Sequence, residues 1–153
     1  MLRVMGQKAR SDGLTVGGYG NKKGATPLRE LRLYAYRLML SALGSSKTSK
    51  EATAYYTLLS TQYQYIIDND FRDTTRLNGC IKFYAHSKDK EKLARSYYYK
   101  GELCFRSNDI ANAINNEKHA EYILSKCNLH QNRNLILYQK ICEGLASISM
   151  CAE

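Results

Sequence analysis

The residues whose types could do chemistry are three histidines, five cysteines and one glycine-rich run, and their spacing argues against each. His86, His119 and His130 are isolated. Glu117 and Glu121 flank His119 at two residues, whereas side chains share a helix face at three or four, so the histidines read as solvent-exposed. Cys80, Cys104, Cys127, Cys142 and Cys151 are odd in number, widely spaced and form no C-x-x-C, which indicates neither a disulfide framework nor a zinc site. Most fall on apolar stripes, as small core hydrophobes do, and no neighbouring base would activate a thiol. The run Gly17-Gly18-Tyr19-Gly20-Asn21-Lys22-Lys23-Gly24 lacks Walker spacing and follows no strand pattern, so it does not read as a phosphate loop. With no catalytic set, metal set or cofactor motif, the expectation is a chain that is not an enzyme.

The elements that position these residues read as helices. Of ten glycines, six lie in the first 24 residues, and Pro27 is the one proline. Beyond it helix breakers are scarce, and the regular turn signals of a sandwich or barrel are missing. Residues 1–26 read as a flexible, basic, Gly-rich tail and residues 27–153 as a helical body. Thr26 and Pro27 form a cap and first position, followed by a stripe of Leu28, Leu31, Ala35, Leu38 and Ala42. A second helix starts near Ser49, with Ala52, Tyr55, Tyr56, Leu59, Tyr63, Ile66 and Ile67 on one face. A third starts near Asp73, with Leu77, Cys80, Ile81 and Tyr84 inward. Asp89 caps a fourth, carrying Leu93, Ala94, Tyr97, Tyr98, Gly101, Cys104 and Phe105. The break Ser107-Asn108-Asp109 is short enough to demand an antiparallel hairpin. A fifth helix follows with Ile110, Ala113, Ile114, Ala120, Ile123, Leu124 and Cys127. After 128–134 a sixth carries Leu135, Tyr138, Ile141, Cys142, Leu145 and Ser149. The hairpins repeat weakly at 42–43 residues: Tyr55, Tyr56 and Leu59 precede Tyr97, Tyr98 and Gly101 by 42, and Gly101 precedes Gly144 by 43.

Residues 94–127 resemble a tetratricopeptide repeat. Tyr97 stands at its aromatic position and Gly101 at its small one, with Ala113 and Ala120 at the small positions of the second helix. Such small residues let helices approach closely. Glu117 departs from the pattern, standing where the family prefers an aromatic, and Ser125 replaces a usual proline. The looser resemblance covers 49–153, and the phrase from Asp89 to Gly101 looks like a bacterial, Tyr-rich group of the superfamily. The resemblance implies an all-α fold of antiparallel hairpins stacked as a TPR-like α-solenoid, in a short or truncated member. It also implies a non-enzymatic scaffold that binds a protein or peptide in a groove lined by Tyr56, Arg95, Tyr98, Glu102 and Arg106.

The formal charge of +9 prompts an alternative, nucleic-acid binding. The charge is unevenly spread: residues 1–48 hold nine Lys+Arg against two Asp+Glu, and residues 49–153 hold fourteen against twelve. Any phosphate binding would therefore belong to the N-terminal region. No run is long and apolar enough for a transmembrane helix. Arg32 and Arg37 interrupt 31–44, which reads as an amphipathic helix and not an export signal. As written the chain reads as cytoplasmic; an upstream in-frame signal would make it exported or membrane-anchored.

Overall fold

The computed structural model describes residues 27–44, 49–128 and 132–151. The tail over 1–26, the Thr26 cap and His130 lie outside the described residues. Those described form six helices and no strand: α1 Pro27–Gly44, α2 Lys50–Ile67, α3 Thr75–Ala85, α4 Lys90–Arg106, α5 Ile110–Ser125 and α6 Asn132–Cys151. The chain divides into two units, 1–38 and 39–153, and α2 to α6 belong to the second.

In α1 the stripe expected to face inward is exposed: Leu31 is 65% and Leu38 55% accessible, and Ala35 and Ala42 are exposed too. The half-buried residues include Leu33, Tyr36, Leu40 and Leu43. An apolar stripe selects a face only when the opposite face is polar, and α1 has leucines on both.

Helix starts follow their capping chemistry. Ser49, Asp89 and Asp109 each accept a hydrogen bond from the backbone N–H three residues on, at 3.0, 3.0 and 3.3 Å, satisfying donors that a helix start leaves unpaired. Asp73 accepts from the Thr75 N–H (2.9 Å) and hydroxyl (2.6 Å), so α3 begins two residues after it. The C-terminus of α2 is closed from another helix. Arg106, at the end of α4, donates to the carbonyls of Tyr65 (2.8 Å) and Asp68 (3.0 Å), where a cation also meets the negative end of the helix dipole.

Consecutive helices from α2 to α6 pack on one another, and α4 also touches α2 and α6. The centre of this body is therefore α4, which buries residues on nearly every side, among them Leu93, Ala94, Ser96, Tyr98, Tyr99, Gly101 and Leu103. Three consecutive tyrosines sweep about 200° of a helix, and each finds a different setting. Tyr97 stacks on His119 of α5 with ring centroids 5.2 Å apart. Tyr99 meets Tyr65 of α2 edge-to-face at 5.4 Å. Tyr98 is buried beside it. One apolar cluster runs from α2 to α6 through Leu58, Leu77, Tyr84, Leu103, Ala120, Leu124 and Ile141. A second, smaller one holds Cys104, Ala113 and Ile148, with Phe105, Ile110 and Ile114 against it.

Two faces differ from the expected stripes. In α2 the buried residues are Ala54, Leu58, Leu59, Thr61 and Gln62, while Tyr55, Tyr56, Tyr63 and Ile66 are half-buried and Ile67 is exposed. In α6, Asn134, Leu137, Ile141 and Ile148 point inward, and Leu135, Cys142 and Ser149 are exposed. Cys142 and Cys151 are thus surface thiols, whereas Cys80 and Cys104 are buried.

The α4–α5 turn rests on Asn108, with φ of 59°. The N–H of Asp109 returns to the Cys104 carbonyl and that of Asn108 to Phe105, both at 2.9 Å, the paired bonds of a Schellman end. Asn108→Gly should leave stability unchanged or slightly higher, whereas Asn108→Ala should lower it by about 1 kcal/mol because a Cβ disfavours this backbone region. Urea unfolding of the two variants is the check, and coincident midpoints would contradict this account of the turn.

Candidate functional site

Gly101, Ala113 and Ala120, the small residues of the repeat pattern, are buried, and Tyr97 is half-buried. Their closeness makes a slot, and Glu117 fills it. Along α5, Glu117 lies between Ala113 of the smaller cluster and Ala120 of the larger. On α6, Gly144 lies between Ile148 and Ile141 of the same two clusters. A carboxyl group therefore sits at the seam of two apolar cores.

The fit is tight on both sides. A methyl group on Gly101 would stand 2.6 Å from Cγ of Glu117 and 3.2 Å from the Ala113 carbonyl oxygen. One on Gly144 would stand 2.9 Å from Oε1 and 3.0 Å from Cδ, and closer still to Oε2. The stem of Glu117 thus occupies the side-chain position that α4 lacks, and its carboxyl the one that α6 lacks. Glu117 is 0% exposed; neither carboxyl oxygen meets a donor, and its hydrogen-bonding neighbour is another acid, the Glu102 carboxyl, to which a protonated Glu117 can donate. An ionised carboxylate without partners is very costly to bury, so such a group keeps its proton. Burial first, and then the Glu102 carboxyl beside it, push Glu117 far above the usual carboxylate range.

Around Glu117 the cluster is aromatic and charged. The Tyr65 hydroxyl donates to Glu102, and the Arg106 guanidinium lies over the Tyr65 ring, 3.6 Å from its centroid, a favourable cation–π geometry. Burial and the Glu102 bond raise the Tyr65 phenol. Tyr98, raised first by burial and then by Glu102, completes the group.

The structure thus divides the residues expected to line a groove. Tyr98, Glu102 and Arg106 come together with Tyr65 and Glu117. Arg95 pairs with Glu91 near the start of α4, and Tyr56 is half-buried on α2. The sequence pattern assigns Tyr65 no role, and marks Glu117 as a neighbour of His119 and a departure from the repeat. The signal for Glu117 was the pair of glycines 43 residues apart, since two helices stripped of side chains leave room for one long side chain.

The remaining described chemistry is peripheral. His86 and His119 are exposed, each with Nδ1 against the carbonyl four residues earlier, at 2.9 and 2.7 Å. An open groove of about 420 Å³ runs between α2 and α3, with Ala54, Cys80 and Phe83 below and Lys50 and Arg76 at the rim. Arg76 pairs with Asp73 at 3.4 Å. Among the described residues no helix is long and apolar enough to cross a membrane. Compared with protein-family models, curated proteins and solved structures, the chain matches none.

The slot predicts that identical glycine substitutions act with opposite sign. Gly79 on α3 is exposed and an added methyl there meets nothing within 4 Å, so Gly79→Ala should stabilise by up to about 1 kcal/mol through helix propensity. Gly101→Ala, whose methyl would meet Glu117 Cγ and the Ala113 backbone, should destabilise by about 2 kcal/mol through overpacking, and adding Glu117→Ala should recover at least about 1 kcal/mol of that loss. Denaturant unfolding of the full double-mutant cycle measures the coupling, and additive effects would remove the slot from the account.

Proposed function

We propose that this chain is a non-enzymatic protein–protein interaction module, a TPR-like row of helical hairpins that binds a peptide or protein partner. The observation that carries this reading is the packing order. Each helix from α2 to α6 lies on the next, and α4 touches both α2 and α6, the neighbour pattern of stacked hairpins whose first helices share one side. In such a stack α2 and α4 present Tyr56, Arg95, Tyr98, Glu102 and Arg106 to a partner. Tyrosine and arginine are the side chains that most often dominate such contacts. With Tyr98 buried, Arg106 closing α2 and Glu102 held by the Tyr65 hydroxyl, the residues left to make first contact are Tyr56 and Arg95, both half-buried.

A second reading, nucleic-acid binding through the N-terminal region, rests on the nine cations against two acids in residues 1–48. Phosphate contacts weaken steeply with salt, so DNA and RNA binding assayed at about 50 mM salt and again at about 200 mM separates the readings.

The interaction reading is tested by selecting peptides from a random display library on the full chain and measuring affinity for Tyr56→Ala and Arg95→Ala. Each substitution should weaken the selected peptides at least about tenfold while leaving the unfolding midpoint nearly unchanged. A library that yields no binder, or binders indifferent to both substitutions, would count against the module, and salt-sensitive nucleic-acid binding would then favour the second reading.

A further inference from the structure

We propose that Glu117 is a proton-operated latch: with its proton it seats between Gly101 and Gly144 and holds α6 on α4 and α5, and on losing it the carboxylate leaves the slot and α6 comes away. This inference stands on the slot and does not depend on the interaction reading.

Three observations converge on the latch. First, one side chain joins three helices, because Glu117 of α5 stands where a methyl of Gly101 on α4 and of Gly144 on α6 would stand. Its charge state therefore acts on the packing of all three. Second, the slot offers an anion nothing. Both oxygens are buried without a donor, and the flanking layers are apolar, Ala120 and Ile141 on one side, Ala113 and Ile148 on the other. Third, α6 lies at one end of the row of described helices. Like α2 it has two neighbours, α5 and more lightly α4, whereas α4 is enclosed by four.

The influences that act on Glu117, burial and the Glu102 carboxyl, both favour its neutral form. From α4 come Glu102, whose negative charge opposes a second one, and Tyr98, a buried phenol. From α2, Tyr65 reaches only as far as Glu102. On α6, Glu143 is exposed and accepts a hydrogen bond from Gln139 at 2.9 Å. Lys140, the cation one turn before Gly144, is half-buried. Buried neutral, Glu117 keeps a proton in the folded chain that the unfolded chain gives up near its ordinary value of 4.5. The sign follows: the stabilisation is complete below that value and is lost progressively as pH rises through neutrality, by up to about tenfold in the docking equilibrium per pH unit.

Hydrogen–deuterium exchange of the full chain, read by mass spectrometry from about pH 5.5 to about pH 8.5 and corrected for the intrinsic pH dependence of exchange, tests this. Peptides from α6 should lose protection with rising pH by at least about tenfold more than those from α4. Glu117→Gln, which keeps the shape and cannot ionise, should abolish that difference and exceed the wild type in α6 protection at the upper pH. Parallel loss in wild type and Glu117→Gln, or no loss in either, overturns the latch. Should Glu117→Gln fail to fold, the wild type alone decides. A protonated-carboxyl stretch in its infrared spectrum near pH 7.5 supports the latch, and its absence overturns it.

Discussion

A carboxylic acid takes the place of two missing side chains, and the α4–α5–α6 arrangement depends on it. Gly101 and Gly144 let α4 and α6 approach α5 closely, and Glu117 occupies what the glycines vacate. A larger residue at Gly101 would meet the Glu117 stem and the Ala113 backbone, and one at Gly144 would displace the Glu117 carboxyl from its seat. The layer above and the layer below are apolar and close-packed, so this level cannot relax by moving the glutamate sideways without displacing core residues. Packing and protonation are therefore one constraint: the side chain fits the slot as a neutral acid.

The same level of the structure carries the charged and aromatic residues of α2 and α4. Glu102 is held by the Tyr65 hydroxyl, and Arg106 crosses the Tyr65 ring to close the last turn of α2. Glu102 is thus fixed beside Glu117 by contacts that originate on a different hairpin. A change at α2 would reach α6 through Tyr65, Glu102 and Glu117, each touching or facing the next. In a module that engaged a partner along α2 and α4, this chain of contacts would lie beneath the contact surface.

Much of the fold was legible from local chemistry. Ser49 and Asp89 marked helix starts because each oxygen meets a backbone donor three residues on, and within the break at 107–109 Asp109 does the same. The inward residues of α3 and α5 followed their stripes because the opposite faces of those helices are polar. Periodicity failed where apolar residues ring the helix. In α1 leucines lie on both faces, and in α6 Leu135 and Ile136 stand beside Leu137 with only Leu137 buried. In α2, four tyrosines take half-buried positions while Gln62 and Thr61 go inside. Glu117 was illegible on a hydropathy reading because glutamate scores as surface. Its burial is a property of the two glycines opposite it, one before it in sequence and one after. The functional residues are less legible still, since Tyr98, Glu102 and Arg106 serve packing and capping in this fold as well as any role at a surface.

The central claim is that Glu117 sits in the seam as a neutral acid, and its carboxyl carbon reports that state directly. Nuclear magnetic resonance of the chain labelled at glutamate, with the Glu117 signal assigned by substitution, follows that carbon from about pH 4 to about pH 8.5. The account predicts a signal that keeps the shift of the protonated acid through neutrality while the exposed glutamates titrate in the ordinary range. A Glu117 signal that moves with them, at a midpoint near the ordinary carboxylate value, would contradict it.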